Sequence, residues 1–170
     1  MNTTQAIRAR RSIRKYKTGT VIPQEHIDLL LEAAMCAPSA HDERPWHFIV
    51  IESAEVRRQI VEAIDGNEFL LDVPLAIVIC GTLDAPQGNT QEGYWPQGCA
   101  AATQNLLLQA TELGYGTCWC GVHPGERTPV ITELLDIKDV IPLSLIAVGV
   151  PEETPDAKGF YDKTRVRYVR

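Results

Sequence analysis

Residues 97–113, "QGCAAATQNLLLQATEL", place small or apolar side chains around most of a helical circumference. A helix of this kind cannot face water on any broad side, so it has to be enclosed by other layers of its domain or by a second subunit. Its alanines let neighbouring elements approach closely. That demands a layered fold, and 170 residues with 45% hydrophobic content suffice for one complete core but not for two. A single domain over 1–170 is expected.

The elements around this helix alternate in type. Residues 3–11 read as a short first helix, and Pro23 opens "PQEHIDLLLEAAMCA", where Ile27, Leu30, Leu31 and Ala34 form one stripe. Pro38 stops that helix. A strand is expected from Trp46 to Glu52, then a helix over 54–64 with Arg57 and Arg58 on its wet side, then the strand "PLAIVICG". Both strands are apolar on two faces, as central strands are. "GYGTCWCGVHPGE" reads as a glycine-rich break, followed by a helix near 127–136 and a last strand "PLSLIAVGV". The tail from Pro151 has prolines and charges but no core pattern. The class implied is a mixture of helices and strands in one domain, without internal repeats.

Charge is distributed unevenly. Six bases lie in residues 8–17 (Arg8, Arg10, Arg11, Arg14, Lys15, Lys17) and five in 158–170 (Lys158, Lys163, Arg165, Arg167, Arg170), whereas residues 18–157 hold 21 of the 22 acids. An acidic body between basic ends argues against a nucleic-acid-binding face. It is compatible with a compact anion such as phosphate held where the ends converge. The apolar runs fall short of the roughly 20 residues a bilayer-spanning helix needs, and the N-terminus lacks the apolar core of a secretory signal. Five cysteines, an odd number, suit a reducing compartment, so the expected location is the cytoplasm.

Three chemistries find little support. Cys118-Trp119-Cys120 has one residue between its sulfurs, against two or more in redox and zinc patterns, so no metal site is expected. Ser39 or Cys36 could be paired with His41 or His123, but no nucleophile-elbow motif accompanies them. The glycines of "GYGTCWCG" follow a long helix instead of a first strand, which is the wrong context for a dinucleotide loop.

Four segments, "RRSIRKY" at 10–16, "APSAHDERPWHFIVI" at 37–51, "YWPQGCAAATQNLLLQATELGYGTCWCGV" at 94–122 and "IAVGVPEETPDAKGFYDKTRVRY" at 146–168, together resemble the nitroreductase family of flavin mononucleotide (FMN) enzymes. The resemblance implies an α+β subunit with a helix-flanked mixed β-sheet, a homodimer with FMN at its interface, and residues 151–170 as a tail embracing the partner. It places phosphate and ribityl contacts on Arg10, Arg11, Ser12 and Arg14; guanidinium forks suit phosphate oxygens. Lys158 matches one half of a C-terminal Lys-x-Arg pattern. The expected arginine is Phe160 here, and Arg165 is a candidate substitute.

The loop matching Pro38, Ser39 and Ala40 packs along the flavin from the second subunit in the family, and the position of Asp42 is usually an asparagine at the ring's polar edge. A carboxylate there would repel the charge that builds on reduction, so Asp42 is expected either to point away or to be balanced by Arg44. Arg44 itself departs from the usual glutamine, and Gly98 stands where aspartate is common. Cys118, Trp119, Cys120 and Gly121 match the segment whose backbone approaches the ring, with the cysteines as small lining groups. Asn67 matches a further family contact, while Trp46 is expected in the core. The implied reaction passes two electrons from NADH or NADPH to nitroaromatics, quinones or similar planar acceptors by ping-pong turnover, without a catalytic side chain. The alternative is a protein that stores or senses flavin, or that is specialised for other flavin chemistry.

Overall fold

The computed structural model describes residues 1–82, 93–156, 159 and 161–170. Five helices, α1 (Thr3–Ala9), α2 (Gln24–Met35), α3 (Ala54–Ala63), α4 (Trp95–Glu112) and α5 (Arg127–Leu134), surround four strands, β1 (Trp46–Ile51), β2 (Leu75–Gly81), β3 (Gly116–Gly121) and β4 (Ile141–Gly149). The sheet order is β1-β2-β4-β3 and each neighbouring pair runs antiparallel. A parallel contact is confined, among the described residues, to the isolated bridge between Ser12 and Thr117.

Sheet alternation divides the core into two layers. On β2, Ala76, Val78 and Cys80 face one side with Ile60 of α3 and Ile131 of α5. Leu75, Ile77 and Ile79 face the other, against Leu30 of α2 and Leu106 of α4. All seven residues of β2 are buried, as an apolar central strand requires. Helix α4 buries Gly98, Cys99, Ala102, Thr103, Leu106, Leu107 and Ala110 on the sheet side. Its outer face, including Ala101, Asn105 and Leu108, is half-buried, and Asn105 Nδ2 donates to the Ala33 carbonyl of α2 at 3.1 Å. The enclosure demanded by the sequence of this helix is thus met on the sheet side, while the outer face is covered only in part by the chain itself.

Four expectations change. Strand β1 is an edge strand, with exposed His47 and a half-buried stretch from Phe48 to Val50, because β2 pairs on one side of it only. "GTCWCG" forms the full strand β3 instead of part of a break, paired with β4 from Gly116↔Gly149 to Gly121↔Ser144. The glycine at its start serves a close approach: a Cβ on Gly116 would lie 2.9 Å from Cγ1 of Ile13. Helix α1 ends at Ala9, and Arg10 is already extended (φ −53°, ψ 129°), so the basic cluster lies on an extended segment and not on a helix end.

The last change concerns Arg57, which is buried at 6% exposure instead of wet. Its Nε donates to the Leu70 carbonyl at 3.2 Å, and Nη1 donates to the carbonyls of Glu52 (2.8 Å) and Pro74 (3.2 Å). The guanidinium thereby ties α3 to the segment that enters β2. Arg58, one position on, is exposed and pairs with Glu55 and Glu62 as expected of a wet residue.

Candidate functional site

Residues 10–17 run between the start of β3 and the beginning of the C-terminal tail. Ile13 N donates to the Thr117 carbonyl at 2.8 Å, Lys17 N to Val150 O at 2.9 Å, and Glu152 N to Lys15 O at 2.9 Å. Ile13 and Tyr16 are buried, and the Tyr16 hydroxyl donates to Ile13 O at 2.6 Å; burial raises its pKa above the usual phenol value. The inward turn of these two side chains leaves Ser12 and Arg14 exposed. Arg10 and Arg14 make no side-chain hydrogen bond among the described residues, so both guanidinium forks are available. Arg11 is committed: Nε donates to Asp156 O at 2.9 Å, and Nη1 to Arg8 O (2.7 Å) and Arg10 O (2.6 Å).

A cleft of about 270 Å³ opens here, lined by Arg10, Arg11, Ile13, Tyr115, Gly116 and Glu153 among others. Glu153 Oε1 accepts from the backbone N–H groups of Arg14 (2.6 Å) and Lys15 (3.1 Å). An anionic oxygen on two successive N–H donors shows the kind of ligand this segment suits. Residues 150–156, which carry no base, reach the N-terminal cluster, whereas in the basic end beyond them Arg165 donates to Asp162 at 3.2 Å in a short 3-10 turn, Lys163–Arg165. Lys158 and Phe160 lie outside the described residues.

Strand β3 leads away from this cleft. Cys118 and Cys120 face the core, 2% and 6% exposed, toward the α3–α5 layer, whereas Trp119 packs toward α4 and Gly121 is exposed. Hydrogen bonding from the Cys120 thiol and the charge of Arg14 lower the Cys118 pKa, against burial, to about 7; the same bond and burial push Cys120 up. The sulfurs are thus packed beneath the strand as small core groups. Arg127 is a residue that sequence reasoning missed. It joins the far end of β3 to the Asp65–Asn67 corner, donating to Gly121 O at 3.5 Å and Asp65 O at 3.2 Å. Asn67 itself is buried at 3% exposure, opening a 3-10 turn with its carbonyl accepting from Leu70 N.

The loop before β1 is unusually bent. His41, Asp42 and Arg44 have φ of 52°, 56° and 50°, a left-handed region that side-chain-bearing residues adopt at a cost of about 1 kcal/mol or more each. Ser39 Oγ accepts from Arg44 N at 2.9 Å, and the Arg44 fork grips the Asp42 carboxylate through Nε (2.9 Å) and Nη2 (2.8 Å). This bidentate bond holds the Asp42 carboxyl below its ordinary pKa. Of the two possibilities for Asp42, pairing with Arg44 is the one realised. Ser39 and Pro45 rest on α4 at Gly98, where a Cβ would lie 3.6 Å from Ser39 Cβ and 3.4 Å from Pro45 Cγ. These are ordinary contact distances, so the space at Gly98 does not by itself explain the glycine. Trp46 is core, 8% exposed.

The loop at 38–45, the end of β2, the N-terminus of α4 and the end of β3 all lie at one edge of the sheet, opposite the Arg10 cleft. Among the described residues, Glu43 Oε1 and Trp95 Nε1 are buried side-chain atoms at this edge that lack a hydrogen-bond partner. An unmet buried polar atom costs about 1–3 kcal/mol.

An extended basic segment bridged to the start of β3, a bent Pro-Ser-Ala loop before β1 and a long central helix on the sheet make up an α+β subunit. The chain belongs to the nitroreductase family, whose model matches residues 7–67 and 65–150. It is 44% identical to a Methanothermobacter thermautotrophicus protein named "Putative NADH dehydrogenase/NAD(P)H nitroreductase", over 98% of this chain and 86% of that relative. An FMN-dependent nitroreductase from Clostridium difficile R20291 shares 30% identity and superposes with a TM-score of 0.86 over 99% of both chains. A nitroreductase family protein from Clostridium novyi NT does so at 29% identity and 0.80, over 92% and 89%.

Proposed function

We propose that this protein is an FMN-dependent NAD(P)H oxidoreductase, working as a homodimer, that passes two electrons to planar acceptors such as nitroaromatics and quinones in ping-pong turnover. The observation that carries this reading is the run of β3 from the basic segment at Thr117 to the open Gly121. Ser12 bridges to Thr117 at one end of the strand, with Arg10 lining the adjoining cleft and Arg14 exposed nearby, and Gly121 stands open at the other end. From Thr117 to Gly121 a strand advances roughly 13 Å, comparable with the reach of an extended mononucleotide from phosphate to ring.

The residues present fit such a group. Arg10 and Arg14 hold phosphate oxygens through charge-assisted forks, and Ser12 adds a hydroxyl. Arg11 shapes the cleft by pinning Asp156, with Nε and Nη1 on carbonyls and Nη2 left to donate. Asp42 is neutralised by Arg44, so its carboxylate is balanced at the position matched to the ring's polar edge. Gly121, with nothing within 4 Å of where its Cβ would stand, keeps the strand end open to a planar molecule. The flavin, when bound, supplies the two-electron chemistry at N5. No side chain is then required as acid or base, and NAD(P)H and the acceptor take turns in one cleft.

The purified protein is expected to be yellow, with about one FMN per chain, and to oxidise NADH or NADPH when given menadione or nitrofurazone. A colourless protein that gains no flavin absorbance bands with excess FMN defeats the reading. A yellow protein that fails to turn over with every donor and acceptor pair defeats its enzymatic part.

A further inference from the structure

The edge of the sheet where β2 and β3 end carries an aromatic pair that the reading above leaves unused. Trp95, the first residue of α4, packs its ring on Gly81, where a Cβ would fall 2.2 Å from Cε3. The Trp95 ring centroid is 5.2 Å from that of His123, with the planes tilted by 48°. His123 stands two residues beyond Gly121, half-buried, and its backbone N–H is anchored on the Leu143 carbonyl at 3.1 Å. Among the described residues its imidazole nitrogens make no hydrogen bond, and the indole N–H of Trp95 makes none either.

A half-buried imidazole with no hydrogen-bond partner among the described residues, braced by a buried indole whose N–H is also unpaired among them, has donor capacity left for a bound molecule. Gly81 makes room for the indole, and the indole fixes the imidazole at the mouth of the Gly121 end. The ring is thereby presented rigidly, by packing and not by hydrogen bonds of its own. An indole can only donate and an imidazole always has at least one N–H, so the unused capacity is weighted toward donors.

We propose that His123, braced by Trp95, is the specificity-determining wall for the electron acceptor, stacking on a planar aromatic molecule and donating a hydrogen bond to its nitro or carbonyl oxygen. This rests on the flavin reading, because the wall stands at the ring end of that site. The wall selects an aromatic plane with an oxygen acceptor on its rim; a plane without such an oxygen leaves the imidazole unpaired.

The test uses FMN-loaded, oxidised protein without NAD(P)H, and 4-nitrobenzamide as probe, with binding followed by calorimetry. His123→Ala removes both ring and donor, and is expected to raise the dissociation constant about tenfold; His123→Phe keeps a ring without the donor and raises it about threefold. Flavin absorbance and FMN affinity stay at wild-type values in both. In steady state the KM for 4-nitrobenzamide rises while kcat changes little. A yellow His123→Ala protein that binds the probe as tightly as wild type overturns this inference and leaves the flavin reading standing. So does a His123→Ala protein that loses FMN affinity, since that would put His123 in the cofactor's own site. A wild-type protein that takes up no FMN overturns both.

Discussion

Arg57 shows how a single side chain can hold an element in place without being visible in the pattern that forms it. Its three carbonyl partners come from the end of β1 and the run into β2, so the guanidinium serves as a cross-tie in a place where water cannot satisfy those carbonyls. Arg57→Ala is expected to lower stability by about 2–4 kcal/mol, since charge-assisted bonds are lost and buried acceptors are stranded. Arg57→Lys recovers only a small part, because one ammonium cannot span the same fork. Urea denaturation measures both, and an alanine variant within about 0.5 kcal/mol of wild type would remove the cross-tie. Arginine is exposed in most proteins. Helical spacing alone puts Arg57 beside buried Ile60 without saying which way the side chain wins. The pairing of Asp42 with Arg44 was legible as one of two outcomes because their spacing permits it.

Cys118 and Cys120 allow a second prediction at this scale. They lie on the same face of β3, buried in the core. A disulfide across one intervening residue needs Cβ atoms about 3.8 Å apart, and two same-face positions of an extended strand stand farther apart than that. The proposed turnover therefore does not run through the sulfurs. Cys118→Ala and Cys120→Ala, made singly, are expected to keep FMN, reduction by NAD(P)H and acceptor turnover, at a stability cost of about 1–2 kcal/mol from lost packing. A variant that is reduced normally and then fails with every acceptor would make the thiols part of the electron path.

At the scale of elements, the C-terminal tail has two parts with different partners. Residues 150–153 pair with Lys15 and Lys17 and cap Arg14 through Glu153, so they complete the N-terminal segment of their own chain. Farther on, Tyr161, Val166, Tyr168 and Val169 are exposed apolar side chains with no core to enter. A chain ending at Asp156 is expected to fold with wild-type circular dichroism while dissociating at higher concentration, as sedimentation at low concentration would show. An unchanged dimer would count against the embrace. The tail's lack of a core pattern was readable in the sequence. Strand β3 was not, because glycines at 114, 116 and 121 give the same signal whether they make a turn or admit a neighbour. Gly114, at φ 83°, makes the turn after α4, whereas Gly116 admits Ile13. Only the packed structure separates these two uses.

On the scale of the whole molecule, the site is a meeting of segments more than a hundred residues apart. Charge counting found the basic ends, but an extended segment can lie on any surface; what fixes this one is the burial of Ile13 and Tyr16, which turns Ser12 and Arg14 outward beside β3. The family resemblance marked the residues, and the length of β3 sets the distance between the proposed phosphate end and the proposed ring end. That distance makes the two ends separable by experiment. Riboflavin is FMN without its phosphate, so a contact at the Arg10 cleft contributes to FMN binding and nothing to riboflavin binding. Arg10→Ala is expected to weaken FMN binding by about 1.5–3 kcal/mol, roughly 10- to 150-fold, and to leave riboflavin affinity within about twofold of wild type. The FMN loss should also shrink as ionic strength rises, because screening already weakens the wild-type contact at this half-exposed arginine. Fluorescence titration of both flavins against both proteins reads these differences directly. Equal losses for FMN and riboflavin would place Arg10 at the ring or in the fold, and the orientation of the cofactor along β3 would have to be reversed or abandoned.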